Sequence, residues 1–387
     1  MIRHCVLFLL LLTLSIAALA AGTTVVVNGK TVTVPVMVVD GKAYADVAAL
    51  MQILGGKATY DAATNKLVVN STGTATTPPT TSGGGSTGTV QLAGDNGVLG
   101  NVYSICKGSP LYFSLKSAEY TTKQVVIGNS LTVPKAGEKL LLLHFSVQNP
   151  QKTERFVRFD SLRLTAIDAM NVNHECTASW GDADSHQPLE ISLKPAQHID
   201  VYTAIAVPAK GIVPKLMVQS PNDTDGPVLR YDLHDKVTAL AAPIADPADA
   251  AGATALETVP GQAGTAYPYG NFDITVEKFA TTTDTLENGA PEDGASFQVV
   301  TLLMKNQAPS ESFLRWDTIT AALTGADGEE LKYNSMLFAS ANRSFEQNVK
   351  PGQQVRVRIY FTVPKGSTPK TLALKEGESR TYEFEVK

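Results

Sequence analysis

Phe156-Val157-Arg158-Phe159-Asp160-Ser161-Leu162 returns further along the chain as Phe313-Leu314-Arg315-Trp316-Asp317-Thr318-Ile319. Aromatic, aliphatic, cationic, acidic and hydroxyl side chains fall in the same places in both. The neighbouring blocks return as well. Gln148-Asn149 and Lys305-Asn306 each close an apolar run upstream. Downstream, Leu193-Lys194-Pro195-Ala196-Gln197 matches Val349-Lys350-Pro351-Gly352-Gln353, and Ala206-Val207-Pro208 matches Thr362-Val363-Pro364. Blocks that keep their order and nearly their spacing mark a duplicated domain, with a period far longer than that of a solenoid repeat.

Each copy reads as all-β. Residues 139–147 and 297–304 are near-continuous apolar runs of strand length, the pattern of buried strands. Residues 201–207 and 354–363 alternate instead. In the latter, Arg356 and Arg358 share one face and Val355, Val357 and Ile359 the other. Lys194-Pro195 and Lys350-Pro351-Gly352-Gln353 are turns that feed these strands. Roughly seven short strands per copy predict an immunoglobulin-like sandwich. The ordered blocks also resemble a bacterial extracellular domain family of unknown function with a telokin-like, immunoglobulin-type topology. Its marks are a central strand ending in Asn, an aromatic segment with a following Asp, a Lys-Pro-Gly turn and a strand ending in Val-Pro. The second copy keeps the Lys-Pro-Gly turn, and the first has Ala196 in place of the glycine.

Ahead of the duplication lies a smaller module. Asn28-Gly29 and Asp40-Gly41 separate β-branched runs, the strongest short-range hairpin signal. Val47, Leu50, Met51 and Leu54 recur at helical steps behind Asp46, and Gly55-Gly56 ends them, predicting a short helix. A hairpin around residues 61–65 closes the unit. The segments Val27-Asn28-Gly29-Lys30, Val39-Asp40-Gly41-Lys42-Ala43-Tyr44, Leu54-Gly55-Gly56 and Thr59-Tyr60-Asp61 resemble the small domain named after the N-terminal region of copper amine oxidases. The resemblance covers residues 23–70 and carries no copper, because the oxidase's metal ligands belong to a different domain. Arg3 and His4, the apolar run 6–14 and Ala18-Leu19-Ala20 have the layout of a cleaved export signal. The run is short for roughly 30 Å of hydrocarbon.

The expected architecture is therefore mainly β: a signal peptide at 1–20, the small α+β module at 21–70, a flexible Thr/Pro/Gly/Ser-rich linker at 71–92, one sandwich at 93–238, an Ala/Pro-rich connector at 239–264 with a helical turn near 247–250, and a second sandwich at 265–387. No later segment is apolar enough to cross a membrane.

Composition narrows function. The net charge is -5 with both signs interspersed, so no basic face for nucleic acid is present. Once Cys5 leaves with the signal, Cys106 and Cys176 are an even pair in an oxidising compartment, and a disulfide between them is the default. Two separate thiols are the alternative. Arg158 with Asp160 and Arg315 with Asp317 sit two residues apart, so each can form an ion pair that fixes a sandwich edge or, alternatively, meets a ligand. His174 and Cys176 have metal-ligand spacing without a second pair to complete a zinc set. Asp182, Asp184 and His186, and again Asn222, Asp223 and Asp225, read as solvated turns rather than calcium loops. Gly84-Gly85-Ser86-Thr87-Gly88 spells a nucleophile elbow but lies in the linker, without the strand and helix such a turn needs. Trp316 occupies the place of Phe159 and is expected in the core. Trp180, in a polar stretch, is a possible exposed contact.

These residues point to no catalytic, cofactor or metal site. The expected function is non-enzymatic: an exported or periplasmic binding or adhesion protein that presents sandwich surfaces to an envelope protein or glycan. An enzyme accessory or hydrolase-like protein with a site on the first sandwich, and a structural envelope spacer, are the alternatives.

Overall fold

The computed structural model describes the backbone of strands at 19–27, 30–39, 42–45, 56–61, 66–71 and 89–90, and backbone with side chains over residues 96–221 and 228–387. The chain divides into two compact units, Met1–Gly84 and Gly85–Lys387. In the first, Leu19–Val27, Lys30–Val39 and Lys42–Ala45 form an antiparallel meander, and Gly56–Asp61 pairs with Lys66–Ser71. The expected turns at Asn28-Gly29 and Asp40-Gly41 lie outside the described residues. The helix expected at 46–54, residues 1–18 of the export signal and the elbow-like stretch at 84–88 lie outside the described residues.

The second unit is mainly β and holds two sandwiches built to one plan. Among the described residues there is no α-helix, only a single 3-10 turn at Trp316–Thr318. In the first sandwich the strand Glu138–Gln148 lies between Leu111–Thr121 and His198–Pro208. In the second, Ser296–Asn306 lies between Phe272–Thr282 and Gln354–Val363. Both central pairs carry one bulge at the same place, leaving Lys116 unpaired in one copy and Glu277 in the other. Each sandwich also begins with a short strand parallel to a late one: Asn96–Gly97 beside Leu229–Asp232, and Thr258–Pro260 beside Thr381–Glu385.

Period-two alternation puts one row of each central strand into a core. Leu141, Leu143, Phe145 and Val147 meet Phe113, Trp180, Leu216 and Tyr231 in the first sandwich. Leu302 and Met304 meet Tyr267, Ile359, Phe361 and Phe384 in the second. Each such side chain contributes roughly 1.5–3 kcal/mol by leaving water.

The repeated polar blocks have a structural cause. Asn149 and Asn306 are fully buried at the ends of their central strands. Asn149 Nδ2 donates to the carbonyls of Thr153 and Leu193, both at 2.8 Å, and its Oδ1 accepts from the Gln151 amide. Asn306 repeats the pattern with Ser310, Val349 and Ala308. The Lys-Pro turns are fastened by the glutamines that follow: Gln197 Oε1 accepts from the Lys194 amide and Gln353 Oε1 from the Lys350 amide, each at 2.9 Å. One repeated device was missed in the sequence. The Val98 amide donates to the Tyr103 hydroxyl, and the Gln262 amide to the Tyr267 hydroxyl.

The copies differ where a strand changes sheets. Glu330–Phe338 pairs at Glu330 and Leu331 with Thr320–Gly325 and from Lys332 onward, across a bulge between Tyr333 and Ser335, with Gln354–Val363. It joins both faces of the second sandwich into one nine-stranded path. In the first sandwich the same strand is broken into Asn173–Glu175 and Gly181–Asp182, one in each sheet.

That break explains the two tryptophans, whose expected environments are reversed. Register aligns Trp180 with Met336, because Gly181 pairs with Tyr202 as Leu337 pairs with Arg358. Trp180 is accordingly core, edge-on to Phe145 at 5.0 Å, and not an exposed contact. Trp316 is the exposed one.

The disulfide is also absent. Cys106 and Cys176 are both free thiols. Cys106 follows the strand Tyr103–Ile105 in the seven-stranded sheet, and Cys176 follows Asn173–Glu175 in the five-stranded one. Cys176 faces the Thr203 hydroxyl at 3.2 Å and the Ala178 carbonyl, while Cys106 has the Arg155 guanidinium as its neighbour.

Candidate functional site

The duplicated turn is assembled the same way twice. Arg155–Arg158 pairs with Glu190–Leu193, and Ser312–Leu314 with Gln347–Val349. Val157 and Leu314 are fully buried, so alternation turns the preceding Phe156 and Phe313 outward, 56% and 47% exposed. A tight turn follows each strand. Ser161 Oγ accepts from the Arg158 amide while the Ser161 amide donates to the Arg158 carbonyl, both at 2.9 Å. Thr318 closes the same ring on Arg315. The turn delivers a second ring to solvent in each copy, Phe159 at 42% and Trp316 at 52% exposure.

Between the rings lies the ion pair. Arg158 donates to both carboxylate oxygens of Asp160, at 2.7 and 2.6 Å, and Arg315 Nε donates to Asp317 at 2.5 Å. All four groups are solvent-exposed, and pairs of this kind contribute only about 0–1 kcal/mol to stability. Two exposed rings flanking a salt bridge therefore add little to either fold. The arrangement is suited to contact: apolar faces beside a donor fork and an acceptor whose orientation is already fixed.

In the first copy a cleft lies beside this turn. There the hairpin joining Tyr103–Ile105 to Leu111–Thr121 uses residues 106–110, whereas Gly270-Asn271 alone joins Ala266–Tyr269 to Phe272–Thr282. The longer loop walls a cleft of about 850 Å³ lined by Lys107, Ser109, Arg155, Phe156, Arg158 and Asp160. A more apolar hollow of about 510 Å³ lies elsewhere on the first sandwich, where His144 and His186 flank Tyr202.

The remaining polar candidates are occupied structurally. His174 does not pair with Cys176 but meets the buried Asp168 at 3.0 Å. That contact, with the Val172 and Met170 amides, holds the Asp168 carboxyl below its ordinary range. Asp182 Oδ1 accepts from the Asp184 and Ser185 amides and the Ser185 hydroxyl, an Asx turn. Glu329 and Glu330 follow the Gly325–Gly328 turn. Among the described residues, no three His, Cys, Asp or Glu side chains gather as a metal set. Residues 222–225 lie outside the described residues.

The exposure of the rings and the cleft cations Lys107 and Arg155 are not singled out by the sequence. The alternation of Phe156 with the aliphatic Val157 was the available signal for the first ring. Nothing local announced that residues 106–110 would stand beside residues 155–161.

Fold and surface define a tandem β-sandwich protein with a repeated aromatic and ionic turn. Residues 262–382, the body of the second sandwich, match the model of a domain of unknown function, DUF4352. The chain is also similar to the crystal structure of an uncharacterized β-sandwich protein from Clostridium difficile 630, with 14% identity and a TM-score of 0.27 over 33% of this chain and 92% of that one. A conserved hypothetical protein from Bacillus anthracis shows 17% identity and a TM-score of 0.24 over 31% of this chain and 91% of its own. No curated protein matches.

Proposed function

We propose that this chain is an exported, non-enzymatic binding protein of a bacterial cell envelope, and that the duplicated turn is its contact surface. The observation that carries the reading is the exposure of Phe156, Phe159, Phe313 and Trp316 at equivalent places in two copies, each pair beside an exposed Arg–Asp bridge. Clustered exposed apolar side chains beside oriented polar groups mark interaction sites. A polymer with a repeating unit suits a surface that itself repeats, which favours an envelope glycan over a single protein epitope. Export rests on the leader and its small residues near Ala20. The tether rests on the linker composition and the N-terminal module on its copper amine oxidase-like segments, with the strand pairing at 30–45 and 56–71 in support.

Retention of the purified mature protein on isolated envelope polysaccharide tests the reading. The wild type should be retained. Phe156→Ala with Trp316→Ala should reduce retention about a hundredfold, roughly 1.4 kcal/mol for each ring lost. Equal retention of the two proteins, or none of the wild type, would sink the proposal. The alternative of an envelope spacer has separate support in the hydrogen bonds that join the two sandwiches.

A further inference from the structure

We propose that the cleft of the first sandwich binds an acidic saccharide, a sugar ring bearing a carboxylate or phosphate, a deepening that rests on the glycan-binding reading above. The duplication supplies an internal control. Both copies have the aromatic turn, the Arg–Asp bridge and the hydroxyl that closes the turn. Only the first has Lys107, on the longer 106–110 loop, and Arg155, which aligns with the buried Ser312 of the second copy.

These additions are held in place rather than loosely appended. Arg155 Nη1 donates to the Ser109 carbonyl, and Gln151 Nε2 donates to the Ser109 hydroxyl at 3.0 Å and to the Pro110 carbonyl at 3.4 Å. The loop is thus fastened to the strand that carries Phe156. Arg158 is neutralised by Asp160, but among the described residues neither Lys107 nor Arg155 has a carboxylate within ion-pair distance. An Arg guanidinium has five N–H donors. The Ser109 carbonyl and the more distant Cys106 sulfur take only part of the Arg155 fork, and Arg155 lines the cleft.

The chemistry of the lining selects the ligand class. Two cations without a carboxylate partner among the described residues call for an anionic group. The Ser109 and Ser161 hydroxyls and the Arg158–Asp160 bridge offer paired donors and acceptors of the kind that sugar hydroxyls use. Phe156 supplies one flat apolar face for the C–H side of a ring. A purely apolar ligand would desolvate the bridge without replacing its partners, which is unfavourable.

Titration calorimetry on the full mature chain distinguishes the sources of the acid group. The probes are tetragalacturonate for a carboxylate, glucose 6-phosphate for a phosphate, the neutral cellotetraose, and inorganic phosphate alone. At least one acidic saccharide should bind more tightly than cellotetraose and inorganic phosphate, and its affinity should fall as salt is raised. Arg155→Ser, which installs the residue of the second copy, and Lys107→Ala should each weaken it about tenfold, the scale of one charge-assisted hydrogen bond. Unaltered binding by Arg155→Ser, equal binding of cellotetraose, equal binding of inorganic phosphate, or no binding of either acidic saccharide overturns the inference. If Arg155→Ser has no effect while polysaccharide retention still depends on Phe156 and Trp316, the charge selectivity fails and the aromatic contact surface stands. Unchanged circular dichroism and melting temperature in both variants guard against misfolding.

Discussion

At the residue scale, the two copies carry out a substitution experiment on each other. The Lys-Pro-x-Gln turn needs a left-handed residue at its third position, where Gly352 has φ of 70° and Ala196 has φ of 62°. A Cβ in that region costs about 1–2 kcal/mol, and glycine is relieved of it. The turn closes in both copies because the Gln side chain and the buried Asn bracket it from outside: the Ala196 amide donates to the Asn149 carbonyl and the Gly352 amide to the Asn306 carbonyl, each at 2.9 Å. Ala196→Gly should therefore stabilise the first sandwich by about 1 kcal/mol, and Gly352→Ala should destabilise the second by about the same amount. No neighbouring atom would meet a Cβ at Gly352, so the effect is conformational rather than steric. Urea denaturation of the pair of variants checks it, and shifts of the same sign in both would contradict the account. Here the sequence was informative, since the glycine-to-alanine difference was visible in the aligned turns.

At the scale of the element, the tryptophans show what sequence could not resolve. The repeat was legible because order and spacing of polar blocks survive duplication. Inside and outside were harder. Trp316 was read as core from its alignment with Phe159, an argument that fixes likeness between copies but not the face that either residue occupies. Both are outside. The polar neighbours of Trp180 allow an exposed contact, although they belong to the break in a strand whose continuous counterpart carries Met336 inward. The break has one residue more than the matching stretch, so simple alignment by offset loses the correspondence that strand pairing restores. The energetic consequence is a contrast. Trp180→Ala empties a site against Phe145 in the first core and should cost about 3–5 kcal/mol. Trp316→Ala removes a half-exposed ring and should stay within about 0.5 kcal/mol. Thermal denaturation followed by circular dichroism separates the two. A costly Trp316 variant would mean that its ring supports the fold and would weaken the case for a contact surface.

For the whole molecule, the question is whether two sandwiches in one unit act as one. The Ala/Pro-rich stretch between them is hydrogen-bonded at both ends. Lys139 is buried with its ammonium on the carbonyls of Pro208, Ala209 and Gly211, and burial pulls it down to about 8. The same segment accepts the connector: the Ala255 amide donates to the Ala209 carbonyl, and the Gly211 amide to the Thr254 hydroxyl. Asp249 gathers the Ala251, Ala253 and Thr254 amides. From the other side comes Arg380, 2% exposed, whose guanidinium donates to the carbonyls of Leu256 in the connector and of Lys135 and Glu138 in the first sandwich. Lys135 pairs with Glu378 at 2.7 Å, and Gln124 Nε2 donates to the Phe272 carbonyl at 2.7 Å.

Of these contacts, Arg380 is the one whose loss leaves part-buried acceptors in both the connector and the first sandwich, at roughly 1–3 kcal/mol for each carbonyl left unsatisfied. The exposed Lys135–Glu378 pair contributes far less. Arg380→Met keeps much of the volume and removes every donor. It should uncouple the sandwiches: a single calorimetric transition for the tandem should split in two, and solution scattering should report a larger radius of gyration. Lys135→Ala should leave both measurements nearly unchanged. A single transition at the wild-type temperature in Arg380→Met would mean that apolar packing alone holds the pair. A fixed joint would also set the separation of the two aromatic turns, so the Arg380 variant should lose avidity for a repeating polymer while each turn keeps its affinity for a short oligomer.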